Sequence, residues 1–363
     1  MKRIFLLFAA FSTVCSINPV RAQAPKYSNE FLAIGVGARG LAMANANVAG
    51  VDDVTSGYWN PSGLLGIKSN AQVGLMHAEY FASIAKYDYG AVAGRIDSVS
   101  SFGVSVIRFA VDDIPNTTQL IDAGGNIDYD RITTFSAQDY AFIFSYARKS
   151  PIAGLNYGGS AKIIRRKVGD FAGAWGFGID AGAQYDWKGL RFGAVIRDVT
   201  STFNAWSFNL PQEMQDVFIA TGNAIPSNSL ELTLPRLIFG ASKKIPIGKK
   251  DKFSLAGELD FINTFDGKRN VVVRTNLWSM EPVFGFEAGF KNMIFLRGGL
   301  GNIQKAKDVF GKSVTTIQPN LGIGIKIKSL TIDYALTDVG DQSVALYSNI
   351  FSLKFDINRK APK

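Results

Sequence analysis

The chain has 363 residues, with 39 Lys and Arg against 30 Asp and Glu and a formal net charge of +9. Gly 37, Phe 27 and Tyr 12 are high and charged residues make up only 19%; beyond the start of the chain no apolar stretch approaches the roughly 18 residues of a spanning helix, which excludes a helical membrane protein. The basic excess is spread along the sequence, so it makes no nucleic-acid footprint and fits better with attraction to anionic lipid headgroups.

Lys2 and Arg3, the apolar run Ile4 to Phe11 and the small-residue site Val20-Arg21-Ala22 read as a secretory signal peptide over 1–22. Its removal takes away three cations and no acid, leaving a net charge of +6, and it also removes Cys15, the sole cysteine. Ser12-Thr13-Val14 lacks the leucine and small residues of a lipoprotein site, so Cys15 is not read as an anchor. The mature chain then has neither disulfides nor thiolate metal sites.

Residues 23–71 show no alternation and are rich in Gly, Ala and Asn. Gly40 to Ala46 reads as a short helix, and a segment of this kind ahead of the first strand is expected to fold into a lumen as a plug or hatch. Gly35-Val36-Gly37-Ala38-Arg39-Gly40 matches the dinucleotide fingerprint literally, but no buried strand precedes it and Asp52 and Asp53 come too early for the ribose acid. Glycines permitting a tight turn are the simpler explanation.

From residue 72 onward, apolar and polar residues alternate. The clearest stretch runs from Trp175 to Trp187, where Trp175, Phe177, Ile179, Ala181, Ala183, Tyr185 and Trp187 oppose Gly176, Gly178, Asp180, Gly182, Gln184 and Asp186. Twelve steps of about 3.3 Å at a tilt of about 45° rise roughly 28 Å, the height of the apolar band of an outer-membrane barrel. Trp175 at one end and Tyr185 with Trp187 at the other mark the two membrane boundaries. The same patterning places strands near 72–80, 86–96, 101–110, 138–148, 157–167, 175–187, 189–197, 235–244, 252–262, 283–291, 293–301, 317–328, 330–338 and 347–357. That is about fourteen, an even number, and predicts an all-β fold: a transmembrane antiparallel β-barrel over 72–357.

Connections alternate between short ones (97–100, 149–156, 188, 245–251, 292 and 329) and long ones (111–137, 198–234, 263–282 and 302–316). Short periplasmic turns and long external loops then put both termini, including a tail at 358–363, in the periplasm of a multi-pass outer-membrane protein. Asn270 to Thr275 is assigned to an external loop, since a further strand would make the count odd. Loop 198–234 holds Phe203, Trp206, Phe208 and Phe218, with a short helix over Leu210 to Thr221. Exposed aromatics there read either as a partner-binding surface or as a loop folded back over the barrel mouth. Arg165-Arg166-Lys167, at the external end of a strand, reads as a basic rim or as a site for an acidic partner.

Nothing argues for catalysis or a cofactor. His77 is the single histidine, which leaves no metal cluster and no serine–histidine–acid grouping. Gly311-Lys312-Ser313 lacks the upstream glycine of a P-loop, because Ala306 stands there.

Gly37-Ala38-Arg39-Gly40-Leu41-Ala42-Met43, Asp52-Asp53 and Tyr58-Trp59-Asn60-Pro61-Ser62-Gly63-Leu64 together resemble the start of FadL-like outer-membrane proteins. The Trp-Asn-Pro form is most similar to the PorV/PorQ family of the type IX secretion system. The runs Ile332 to Asp338 and Ala345 to Leu353 resemble that family's ending, so the likeness brackets nearly the whole mature chain. One departure is Val36-Gly37-Ala38-Arg39, where PorV shows Pro-Asp-Ala-Arg; this leaves PorV itself and a paralogue both open. The resemblance implies a fourteen-stranded FadL-like barrel from a bacterium of the Bacteroidetes group, with Arg39, Trp59, Asn60, Pro61 and Gly63 in the lumen segment. It also implies partners: the C-terminal signal domains of secreted cargo, an SprA-type translocon and the surface attachment machinery, beside outer-membrane lipid and lipopolysaccharide. Two functions follow. One is a non-enzymatic secretion accessory; the alternative is a FadL-like channel for hydrophobic small molecules with 23–71 as hatch. A passive porin is disfavoured because that segment would occlude the lumen. Trp59, Asn60 and Pro61 are also explained by a turn alone, since Asn-Pro forms turns unaided.

Overall fold

Period-two patterning turns into hydrogen-bonded strands along the chain, as it must when one face meets lipid and the other a filled interior. The computed structural model describes residues 28–121, 125–248, 252–307, 310–337 and 347–358. The signal peptide and the tail beyond Asn358 lie outside the described residues. The strands are β1 (Ala71–Tyr80), β2 (Ala85–Arg95), β3 (Ser100–Asn116), β4 (Thr133–Lys149), β5 (Leu155–Val168), β6 (Ala172–Trp187), β7 (Leu190–Arg197), β8 (Thr202–Phe208), β9 (Ser229–Thr233), β10 (Arg236–Ile247), β11 (Phe253–Thr264), β12 (Val273–Arg274), β13 (Ser279–Phe290), β14 (Ile294–Lys307), β15 (Ser313–Ile327), β16 (Leu330–Thr337) and β17 (Ser348–Ile357). All pairings are antiparallel, and β1 meets β17 from Ala71↔Ile357 to Glu79↔Asn349, which closes the ring. Fourteen strands make that closed barrel; β8, β9 and β12 are additions to it.

On β6, Trp175, Phe177, Ile179, Tyr185 and Trp187 are exposed on the outer face, and Ala174, Gly176, Gly178, Asp180 and Gln184 are buried within. The turn after Trp187 has two residues, not one: Lys188 and Gly189 both take positive φ (51° and 77°), as a tight hairpin turn with the strands' own twist requires.

Three of the expected long loops are shorter than the alternation implies, for one reason. Strands β3, β7 and β14 each pass a bulge and then continue as wall. Beyond the slip between Val111 and Ile114, β3 pairs with β4 up to Asn116↔Thr133, so the connection is 117–132 and not 111–137. Past the slip between Gly301 and Gln304, the β14–β15 hairpin extends to Lys307↔Ser313, so the loop 302–316 contracts to 308–312. Between β7 and β8, Asp198 and Ser201 take φ of 56° and 57°. Outward positions on β7 are even-numbered (Phe192, Ala194, Ile196), and on β8 they are odd-numbered (Phe203, Ala205, Ser207). A bulge breaks the parity that sequence alternation reads. The expected loop 198–234 is therefore wall at both ends, with β8 on β6 and β9 on β8, and the connection proper is 209–228. Its helix spans Gln212–Ala220, between Pro211 and Gly222 (φ 71°). In the fourth long connection, Val273–Arg274 only pairs with Met280 and Ser279 of β13, while β11 pairs directly with β13; the ring gains no strand there.

Residues 28–70 run inside the ring. They form a 3-10 turn at Glu30–Ala33, a helix at Ala38–Ala42, a helical turn at Ser56–Trp59 and a 3-10 stretch at Pro61–Gly66. The helix starts earlier than the expected Gly40 to Ala46, directly after Gly37 (φ 79°), and it ends earlier because Ala44 and Asn45 take left-handed φ of 53° and 68° and stop it. The principal hydrophobic cluster lies in this interior, with Val36, Leu41, Tyr58, Trp59 and Leu64 of the segment packed against Tyr87, Ile107, Ile143 and Ile164 of the wall.

Candidate functional site: the segment inside the barrel

The inner segment meets inward-facing groups on each of the fourteen wall strands. Small residues on the wall make this close approach possible. A Cβ added at Gly193 would lie 2.4 Å from Val48 O and 2.6 Å from Ala49 Cα, and one at Gly299 would lie 2.3 Å from Met43 C. The backbone of the segment sits directly on the backbone of the wall at these points.

The residues expected in the segment sit at its joints. Trp59 is buried, donates from Nε1 to Val36 O at 2.9 Å and meets Tyr58 edge-on at 4.9 Å. Asn60, with no exposed surface, donates from Nδ2 to Val48 O at 2.9 Å and to Ala183 O of β6 at 3.1 Å, and its Oδ1 accepts from Ser62 N and Oγ. Pro61 opens the 3-10 stretch that Asn60 caps. At Gly63 an added Cβ would come 2.5 Å from Val51 O. Arg39 donates to Glu287 Oε2 at 2.9 Å and to Asn47 Oδ1 at 2.7 Å, and Glu287 also accepts from Arg297, which reaches Asp333 at 2.6 Å.

Other contacts come from wall charges that alternation alone registered only as lumen-facing polarity. Asp260 accepts the backbone N–H of Asn47 and Val48, and Glu258 accepts those of Ala49 and Gly50, at 2.7 to 3.1 Å. Lys354 reaches Asp53 at 2.6 Å. Arg197 stacks its guanidinium 4.3 Å from the Tyr58 ring centre and donates to Leu32 O and Tyr58 O. Beside it Lys162 bridges Asp180 at 2.7 Å and Asp198 at 2.5 Å, in a site with side chains at most one-tenth exposed. Alternation marks these positions only as facing inward, where a charge requires a partner, and gives no sign of which group each one meets.

The lumen widens on either side of the segment. Toward the rim carrying the long connections is a vestibule of about 930 Å³, floored by apolar side chains such as Phe31, Ile34, Leu41 and Phe109 and ringed by Arg166, Arg236 and Arg269. Those cations are paired: Arg166 with Asp139, Arg236 with Glu30, and Arg269 with Glu30 and Asp266. In the 265–278 connection, burial pushes the Asp266 carboxyl up, and the Arg269 hydrogen bonds and charge more than reverse this, holding it below the usual carboxylate range. Toward the other rim is a polar hollow of about 530 Å³ that includes Asp52, Lys68, Arg191 and Lys244.

The four loop aromatics do not form one patch. Phe203 faces outward on β8, whereas Trp206 donates to Glu231 at 2.9 Å, stacks with Phe208 at 6.2 Å and lies under Arg166. Only Phe218 lies in the connection itself, on its helix. The Arg165-Arg166-Lys167 run splits too: Arg166 pairs inside the barrel, Arg165 covers Trp175 outside at 5.1 Å and Lys167 meets Asp170 at 3.0 Å. Among the described residues no group of three or more His, Cys, Asp or Glu side chains is arranged to hold a metal.

No family model matches the chain, and no curated protein matches it in sequence. Solved structures do match in fold. The CymD monoaromatic hydrocarbon channel is 13% identical over 90% of this chain and 98% of its own, with a TM-score of 0.54. The toluene transporter TodX of P. putida is 10% identical over 90% and 99%, at 0.55. The toluene transporter TbuX of Ralstonia pickettii is 14% identical over 89% and 99%, at 0.52. The fold is a FadL-like outer-membrane barrel. Identity this low speaks for the fold alone, and these neighbours are transport channels, not enzymes.

Proposed function

We propose that the protein is an outer-membrane channel for small hydrophobic molecules, closed in this conformation by residues 28–70 acting as a hatch. The observation that carries the reading is the placement of that segment between two hollows, under a large vestibule whose floor it forms with its own apolar side chains. An apolar solute entering past the arginine ring meets Phe31, Ile34 and Leu41, and can go further only if the segment yields at its joints. In this reading the short-turn rim and both chain ends are periplasmic and the vestibule opens outside. The test is flux of a monoaromatic such as toluene across proteoliposomes, with the wild-type chain and with Trp59→Ala. Measurable flux that rises in the variant supports the channel; no flux in either sinks it.

A second reading keeps the barrel as a non-enzymatic accessory of type IX secretion, binding cargo signal domains or an SprA-type translocon and passing cargo to surface attachment. It is supported by the motif resemblance and by the 209–228 connection, whose helix carries the exposed Ile219 and whose flank carries the exposed Ile225. Deleting 209–228 and measuring co-purification of translocon and cargo separates the two: loss of both with unchanged toluene flux favours secretion.

A further inference from the structure

The outer wall of the barrel is not evenly apolar. On β6 the outward run from Trp187 to Trp175 rises roughly 28 Å, and on β13 the run from Phe290 to Met280 rises about 23 Å. On β1 the outward apolar residues stop at Leu75, and His77 follows six steps from the strand start, about 14 Å up. The pairing register carries this break across the sheet, with His77 beside Asp88 of β2 and Asp88 beside Arg108 of β3. Glu79 pairs with Lys86 one row higher, and Asp112 lies beyond. These six side chains form one ionic patch: His77 Nδ1 to Asp88 at 2.7 Å, Arg108 to Asp88 at 3.2 Å, Lys86 to Asp112 at 3.4 Å, and His77 to Glu79 at 3.8 Å.

Apolar side chains return above the His77–Asp88–Arg108 row. Phe81 and Ile84, at the tip of the β1–β2 hairpin, are 58% and 63% exposed, and Phe81 lies ten steps from the strand start, about 23 Å up. The His77–Asp88–Arg108 row, about 14 to 19 Å up, therefore lies between two apolar levels and below the boundary that Trp175 marks. Asp112, twelve steps from the start of β3, reaches that boundary. Directly beneath the row, Gly90 leaves a groove of about 480 Å³ walled by Leu75, Val106, Phe351 and Leu353 and capped by His77, Asp88 and Arg108. Charges facing acyl chains are costly in proportion to their depth.

We propose that this face of β1–β3 is the docking surface for a second, different membrane-embedded protein. Its wall would set polar side chains against the His77–Asp88–Arg108 row and one apolar side chain into the Gly90 groove. The charge pattern selects this occupant. Three carboxylates, Glu79, Asp88 and Asp112, make the patch a poor seat for an anionic lipid headgroup. A second copy related by a two-fold axis through this row would set Asp88 against Asp88, like against like. A partner presenting a base opposite Asp88 and an acid opposite Arg108 meets each with its complement.

The experiment places a photo-crosslinking p-benzoylphenylalanine at the outward Val92 of β2, which borders the groove without filling it, and as a control at the outward Leu259 of β11, in the full chain in its native outer membrane. We expect one protein adduct from position 92 and none from position 259, with the crosslinked peptide mapping to a membrane-spanning segment of the other protein. Asp88→Lys should cut that adduct at least tenfold and Asp88→Glu should retain it, with folding checked by heat-modifiable mobility. Should Asp88→Lys fail to fold, the position 92 adduct in the otherwise unsubstituted chain decides the matter. An adduct only to lipid or lipopolysaccharide, only to a second copy or to a soluble domain overturns the proposal. So does no adduct at all, or one indifferent to Asp88→Lys in a folded barrel.

Discussion

Replacing Asn60 by Ala should loosen the inner segment while leaving the barrel wall intact. Asn60 is wholly buried and joins three pieces: Val48 of the segment, Ala183 of β6 and the 3-10 stretch starting at Pro61. Ala183 already belongs to the β5–β6–β7 ladder, so its loss is small. Val48 O keeps only the longer contact from Gln184 at 3.4 Å, and the Ser62 N–H and hydroxyl lose their shared acceptor. At about 1 kcal/mol for a lost hydrogen bond and up to about 3 for a buried group left unpaired, the total is about 3 kcal/mol. That corresponds to a rise on the order of 100-fold in the population of the opened segment. Hydrogen exchange reads it directly: amides over 47–63 should exchange on the order of 100-fold faster, with those of β5 and β6 unchanged. Exchange over 47–63 within a factor of about three of wild type, or an equal acceleration in β6, would refute the reasoning.

Other outcomes follow from the same geometry. Gly193→Val places a side chain where the Val48–Ala49 backbone lies, so the segment should be displaced and single-channel conductance in planar bilayers should rise; an unchanged conductance would count against a displaceable hatch. Lys162→Met leaves Asp180 and Asp198 facing each other in a buried site and should cost about 3–5 kcal/mol, seen as a lower urea midpoint in lipid vesicles and partly recovered by adding Asp198→Asn, which removes one of the two carboxylate charges. The depressed folded-state titration of Asp266 means that its contribution to stability is complete above about pH 4, the unfolded carboxylate range, and is lost as pH falls through the lower folded value. Exchange in the 265–278 connection should therefore accelerate in acid, and Asp266→Asn should abolish that dependence.

The barrel was legible because lipid imposes a strict rule on each strand. With no water in the hydrocarbon layer, every wall strand must hydrogen-bond on both sides and show an apolar face outward. Phe177, Ile179, Leu353 and Phe355 announce their orientation without any knowledge of their neighbours. Thr202 to Phe208 escaped this reading because the bulge at 198–201 reverses which parity faces out. Bulges are invisible to alternation, since the extra residues look like the end of a strand.

The joints of the inner segment divide along the same line. Trp59, Asn60, Pro61 and Gly63 stand out because aromatic, capping and turn-forming residues crowd into one short stretch. Glu258, Asp260, Arg197 and Lys354 do not, since each is a single polar residue on an alternating strand. Their partners lie between 139 and 301 residues away in the chain.

By itself, then, the sequence determined the number of strands in the closed ring, the outward face of each regular strand and the turn chemistry of a segment with no alternation. All of these arise between residues one to four positions apart. Only the closed ring decided which inward charges meet, how far the wall rises past each bulge, and that β1, β2 and β3 lay their charges side by side on the lipid face. Those depend on register between strands distant in the chain, which local pattern does not encode.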